Sequence, residues 1–287
     1  MISANGQRGV FMADYSRLTT ESINEKTKNI DKMSAIEIAK VINDEDKTVA
    51  FAVEKALPQI AAGIDMLADS LKCGGHIYYC GAGTSGRLGV LDAAECPPTY
   101  GVGYDAVVGL MAGGVDAIFA PRESAEDDPL AIVNMLRARK FGMRDVLVAI
   151  SASGSANCVI GALKYASECG ARTVCITCNP NSDLIPLSEQ PIVVPVGPEV
   201  ITGSTRMKAG TAQKMVLNML STGAMIRFGR VRGNFMAYMV PNNKKLVDRA
   251  IRMIMTKTGC DSDRAAIELA KADNIIADAI DAIEQNG

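Results

Sequence analysis

The chain has 287 residues, 48% of them hydrophobic, and its 30 Lys plus Arg are set against 32 Asp plus Glu for a formal net charge of −2. That near balance excludes a nucleic-acid surface, which needs clustered excess positive charge, and no apolar run approaches the roughly 20 residues of a membrane-spanning helix. The length suffices for one large domain, or for one domain with a small appendage.

Residues 1–17, MISANGQRGVFMADYSR, show neither periodicity nor the continuous apolar segment of a signal peptide. They are expected to form a flexible end on a soluble, cytoplasmic protein. Capping-type residues first appear in TTESINEK. From Val49 the apolar positions Val53, Ala56, Ile60, Ile64, Leu67 and Leu71 recur at intervals of three and four. This spacing predicts one amphipathic helix, closed by Gly74 and Gly75. Short apolar runs follow: HIYYC (76–80), AVVGLMAG (106–113), DVLVAIS (145–151), RTVCIT (172–177) and PIVVPV (191–196). Helical patterns such as PLAIVNMLRARK and NCVIGALKYASECG separate most of them. The alternation predicts an α/β fold of βαβ units, a parallel sheet of five strands covered on both faces. A long helix over 204–226 should follow the last strand, and from about Asn242 the composition turns helical and charged, which predicts a small helical appendage. The resulting division is an N-terminal arm with helices (1–47), a central α/β domain (48–240) and a small C-terminal helical domain (241–287).

The cysteines offer one close pair, Cys175 and Cys178 in RTVCITCNP. Side chains three apart in a strand point to opposite faces, which disfavours a shared metal or a redox pair, so the thiols are expected to be structural and reduced. Methionines such as Met207, Met215 and Met219 fall in helical apolar patterns and suit core filling.

Ligands of open parallel sheets bind at the carboxyl ends of the strands, and three loops expected there have unusual composition. In GAGTSGR, Gly81 and Gly83 permit a tight turn while Thr84 and Ser85 add hydroxyls at a helix start, where free N–H groups and the helix dipole favour phosphate. A plain glycine turn with Ser85 as N-cap explains the loop as well. The GxGxxG spacing of Gly81, Gly83 and Gly86 keeps a dinucleotide site in play, and no Walker lysine follows. The second loop, SASGSAN (151–157), again places Ser151, Ser153, Gly154 and Ser155 before a helix, and two converging hydroxyl loops suit one phosphate better than a dinucleotide. The third, EVITGSTRMKAGTAQK, sets Gly203 and Ser204 at a helix start with Arg206 and Lys208 in the first turns. Positive charge there opposes the dipole, so an anionic partner is expected.

Four stretches, INDEDKTV, GAGTSGRLGVLDAAECPPTYGV, AGG followed by ESAEDD, and TGSTRMKAGTAQKMVLNMLSTGAMI, resemble the N-acetylmuramic acid 6-phosphate etherases of the sugar-isomerase (SIS) superfamily, from about Thr19 through the C-terminal helices. The resemblance implies a three-layer SIS fold with flavodoxin-like strand order, a homodimer, and no metal or nucleotide cofactor. It implies cleavage of the D-lactyl ether at C3 of a phosphorylated amino sugar, giving N-acetylglucosamine 6-phosphate and D-lactate. The family's two functional carboxylates fall on Glu95 and Glu126. Gly83, Thr84, Ser85, Ser151, Ser153, Gly154, Ser155 and Ser204 are then the candidate substrate-binding residues. Elimination needs two such carboxylates: one takes the C2 proton of the open-chain aldehyde, the other protonates the departing lactate oxygen, each worth ~10²- to 10⁴-fold. Glu95 is assigned as the acid and Glu126 as the base or water-activating group, and the roles could be reversed. Ten helical residues from Ser85 to Glu95 would span about 15 Å, so either the helix bends back before Pro97 or Glu95 serves a neighbouring subunit.

The second loop departs from the family pattern. Ser155 and Ala156 stand where the pattern has Arg and Thr, and this resembles glucokinase regulatory protein, a binding protein for fructose phosphates. A non-catalytic sugar-phosphate sensor is thus the alternative, and Glu95 favours the enzyme because that relative lacks the carboxylate. A phosphosugar isomerase often uses His; the single histidine, His76, opens the first strand and reads as structural. Glu199 and Asp92 are possible supporting groups, and Glu123 and Asp127 flank Glu126 in what is otherwise an acidic run.

Overall fold

The computed structural model describes residues 19–122 and 124–285. The end expected to be flexible (1–17) and Glu123 lie outside the described residues.

Short turns over 19–32 lead into α1 (Ala35–Glu54), which opens on a capping box formed by Ser34 and Glu37. The single helix expected from Val49 is two helices. Pro58 has no amide proton and its ring would meet the carbonyl four residues back, at Glu54, so α1 stops there and α2 (Leu57–Lys72) takes Pro58 into its first turn. The expected apolar series is buried across both, from Val49 to Leu71, with Ile64 half-buried. Residues 47 and 48 lie within α1, so an arm ending at 47 corresponds to no break in secondary structure.

The sheet follows the alternation read from the sequence. β1 (Ile77–Gly81), α3 (Gly83–Tyr100), β2 (Val107–Met111), the one-turn helices α4 (Asp116–Phe119) and α5 (Ser124–Asp127), α6 (Ala131–Ala138), β3 (Val146–Ile150), α7 (Asn157–Glu168), β4 (Arg172–Thr177) and β5 (Gln190–Val193) succeed one another. All pairings are parallel, in the order β2-β1-β3-β4-β5. Side chains alternate between two cores. Tyr79, Val148 and Ile176 face α1, α2, α3 and the long helix α8 (Lys208–Arg227), whereas Tyr78, Leu147 and Cys175 face α6 and α7. Cys175 and Cys178 fall in opposite cores, and all eight cysteines are free thiols. Burial pushes the Cys96, Cys158 and Cys178 thiols up to about 12.

α8 begins at Lys208, not at Ser204 as expected. Its cap is the buried carboxylate of Glu199, which accepts from Lys208 N and Ala209 N at 2.9 Å each, while Ser204 sits in the preceding turn. After α8, α9 (Lys244–Thr258), α10 (Ser262–Lys271) and α11 (Ile276–Gln285) enclose a third cluster around Ile254, Leu269 and Ile280.

Candidate functional site: a hydroxyl-lined cleft at the sheet switch point

Strand order changes direction between β1 and β3, so the loops after these two strands face one another there. In the first loop Gly81 and Gly86 approach closely: a Cβ on Gly86 would lie 2.5 Å from the Gly81 carbonyl oxygen. These two glycines serve the packing of α3 on β1. Gly83, at φ +53° with open space beside it, turns the chain into the cleft. Ala82 gives α3 no side-chain cap, which leaves the leading amides of the helix for a ligand. Ser85 is buried in that first turn, with its Oγ 2.9 Å from Gln213 Oε1 on α8.

In the second loop Ser151 Oγ accepts from Gly154 N at 3.1 Å, Ser153 Oγ and Ser155 Oγ lie 3.0 Å apart, and Ser155 N donates to Ser153 Oγ. Gly154 has φ +77°, and a Cβ there would collide with Ser182 Oγ. Gly154 and Ser155 therefore shape the loop.

Together the loops form a cleft of about 220 Å³. Gly83, Thr84, Ser85, Ser151, Ser153 and Glu126 line it; Gly154, Ser155, Ser204 and Glu95 do not. Gly203 and Thr205, on either side of Ser204, complete one wall, and Glu21 of the N-terminal segment enters the same space. Sequence reasoning missed Glu21, because a carboxylate in a capping-rich stretch carries no signal of its own.

Glu126 rides on exposed α5. The segment before it is tied to α3 by Arg87, whose Nε and Nη2 donate to the carbonyls of Ile118 and Ala117 at 2.8 Å each. Arg87 was not singled out from the sequence; a cation near the start of a helix, against the dipole, was the available signal.

Glu95 lies elsewhere. α3 runs through Pro97 and Pro98 to Tyr100, so no bend returns Glu95 to Ser85, and ten residues of helix separate them by about 15 Å. Glu95 opens into a second pocket of about 200 Å³ between α3 and α8, with Asp92, Lys214 and Asn218. Asp92 accepts from Asn218 Nδ2 at 2.6 Å, and its burial raises the carboxyl above the ordinary carboxylate range against that hydrogen bond.

The third loop corrects an expectation. The anion facing Lys208 is internal: its buried ammonium lies 2.7 Å from Glu45 Oε2, and Glu45 also takes Lys26 Nζ at 2.9 Å and Asn24 Nδ2 at 3.1 Å. Burial alone would raise the Glu45 carboxyl; hydrogen bonds from Lys208 and Lys26, with their charges, bring it down to about 2. Lys208 thus ties α8 to α1 and is itself not available to phosphate.

The parallel sheet, of flavodoxin-like order, and the hydroxyl-lined cleft at its switch point lie within a SIS domain. The SIS domain model matches residues 140–223, and that of the glucokinase regulatory protein N-terminal SIS domain matches residues 59–167. Among solved structures, a phosphoheptose isomerase from Francisella tularensis superposes with TM-score 0.53 at 14% identity, covering 68% of this chain and 100% of that one. A protein of Escherichia coli CFT073, solved in complex with a ligand, superposes with TM-score 0.51 at 19% identity, covering 72% and 99%. Sequence relatives narrow the class. An N-acetylmuramic acid 6-phosphate etherase of Clostridium botulinum strain Langeland is 55% identical over 252 residues, 88% of this chain and 83% of the relative. Another from Photorhabdus laumondii is 49% identical over 260 residues, 91% and 86%. The chain belongs to the N-acetylmuramic acid 6-phosphate etherase family.

Proposed function

We propose that this chain cleaves the D-lactyl ether of N-acetylmuramic acid 6-phosphate, giving N-acetylglucosamine 6-phosphate and D-lactate. The observation that carries this reading is the convergence of Ser85, Ser151, Ser153 and Glu126 on one cleft in a chain of the etherase family. The 6-phosphate is met by the leading amides of α3 and by hydroxyls of both loops. With Ser155 and Ala156 in place of Arg and Thr, the second loop supplies no cation, so neutral donors do the binding.

Glu126 takes the C2 proton of the open-chain aldehyde; the C2–C3 double bond forms as the C3–O bond breaks, and its electron pair leaves on the lactate oxygen. Glu95 protonates that oxygen. Water then adds across the double bond, its hydroxyl to C3 and a proton to C2. Because Glu95 is remote from the cleft of its own chain, the reading assigns the acid to Glu95 of the partner subunit in a homodimer. Support comes from an apolar groove of about 620 Å³ between α2 and α8, which shares Lys214 and Asn218 with the Glu95 pocket and is lined by Ile60, Ile64, Met215 and Met219. Exposed Leu57, Leu91 and Ile226 extend the apolar surface of α2, α3 and α8, as an association face does.

No helix among the described residues is long and apolar enough to cross a membrane, and eight free thiols support a reducing, cytoplasmic setting. Incubation with N-acetylmuramic acid 6-phosphate, with D-lactate measured, tests the reading. The wild type should release lactate, and Glu126→Gln should lower kcat by ~10²- to 10⁴-fold while still binding the phosphorylated sugar. Wild-type binding without lactate release would refute it.

A further inference from the structure

Gln213 lies on α8 behind the first loop and is 1% exposed. Its Oε1 lies 2.9 Å from Ser85 Oγ, an arrangement in which Ser85 donates its proton to Gln213. The Nε2 of the same side chain is buried and has no hydrogen-bond partner among the described residues. A buried donor left unpaired costs roughly 1–3 kcal/mol, whereas an under-satisfied carbonyl oxygen is better tolerated. The two ends of a carboxamide are nearly the same in shape. A half-turn about its last bond therefore sets Nε2 against Ser85 Oγ and leaves the oxygen in the buried position that Nε2 held. Ser85 then accepts from Gln213, and its own proton is free to turn outward into the cleft that Ser85 lines.

The backbone around Gln213 suits such a device. Glu199 fixes the first turn of α8 through Lys208 N and Ala209 N. One turn before Gln213, Gly210 packs on the loop, where a Cβ would lie 3.4 Å from Thr84 Cγ2. The amide is also neutral: a carboxylate in its place would only accept, would hold the Ser85 proton inward, and would repel an anion.

We propose that Gln213 is a positioning residue for phosphate. When a phosphate ester enters the cleft the carboxamide turns, Nε2 donates to Ser85 Oγ, and the Ser85 proton points at a phosphate oxygen. This rests on the reading of residues 82–85 as a phosphate loop. The test compares wild type, Gln213→Met, Gln213→Glu, Ser85→Ala and the Ser85→Ala/Gln213→Met pair, using the Kd for N-acetylglucosamine 6-phosphate, with KM and kcat for lactate release.

Gln213→Met should raise Kd and KM about tenfold, the loss of one hydrogen bond, and leave kcat within about twofold, a pattern of lost uniform binding. Gln213→Glu should raise Kd further, and increasingly so as pH rises. The double variant should lose no more than Ser85→Ala alone, because both changes remove the same donor. Unchanged Kd and KM in Gln213→Met, with a raised Kd in Ser85→Ala, would overturn the role of Gln213 alone. An unchanged Kd in Ser85→Ala would overturn the phosphate-loop reading and this inference with it. A second measurement keeps the site intact: in wild-type protein labelled with 15N-glutamine, the Gln213 side-chain amide should shift when N-acetylglucosamine 6-phosphate is added, and its staying in place would equally overturn the proposal.

Discussion

Mixing two inactive variants decides which subunit supplies the acid. One variant carries Ser85→Ala, Ser153→Ala and Glu126→Gln, which together empty its cleft of function, and keeps Glu95; the other carries Glu95→Gln and keeps both serines and Glu126. About 15 Å of uninterrupted α3 separates Ser85 from Glu95, so in the proposed homodimer each working site takes its serines from one chain and Glu95 from the partner subunit. Random reassociation of equal amounts makes about half of the two-fold dimers hybrids, each with one intact site of two, so activity should recover to roughly a quarter of wild type. The assay is D-lactate release from N-acetylmuramic acid 6-phosphate after mild denaturation, mixing and refolding, with each variant refolded alone as the control. If Glu95 acts within its own chain, every hybrid site lacks either serines or acid. Recovery absent despite demonstrated hybrid dimers would refute the reasoning and direct attention to Glu21, the other carboxylate in the cleft.

Three further outcomes follow from the geometry. Glu45→Gln leaves the buried Lys208 ammonium unpaired and should cost roughly 3–5 kcal/mol in urea unfolding. The Glu45 carboxyl is held at about 2 against an ordinary 4.5, so its stabilisation is present above pH 4.5 and lost as pH falls towards 2; the variant's stability should be flatter across that window. Arg87→Ala removes both ties to the segment before Glu126 and should lower kcat at least tenfold with little change in the Kd for N-acetylglucosamine 6-phosphate, a positioning loss and not a binding one. In thiol titration at pH 8, exposed Cys73 should react first, while buried Cys80, Cys96, Cys158, Cys175 and Cys178 wait for unfolding.

The sheet was legible because its strands carry their own signal. Runs such as DVLVAIS are apolar on both faces, as a covered parallel strand must be, and two hydroxyl loops following strands pointed to the cleft that Ser85, Ser151 and Ser153 line. Helix ends were harder. Apolar spacing runs unbroken from Val49 to Leu71, and only the steric demand of Pro58 on Glu54 divides it. The start of α8 depends on Glu199, nine residues ahead of Lys208, a cap too distant to be read locally. The charge pairing of Lys208 was invisible for the same reason, since Glu45 is 163 positions away. Glu21 and Gln213 both fall in stretches that the sequence singles out for other reasons, and only tertiary packing brings their side chains to the site.

The central claim is that neutral amides and serine hydroxyls grip the phosphate while Glu126 reaches the sugar. A crystal structure of Glu126→Gln with N-acetylmuramic acid 6-phosphate bound tests it most directly. The account predicts phosphate oxygens on the amides of residues 83–85 and on the hydroxyls of Ser85, Ser151 and Ser153, with C2 of the sugar beside residue 126. Phosphate seated away from both loops, for instance in the basic pocket of Arg139, Lys140 and Arg144 beside His76, would contradict it.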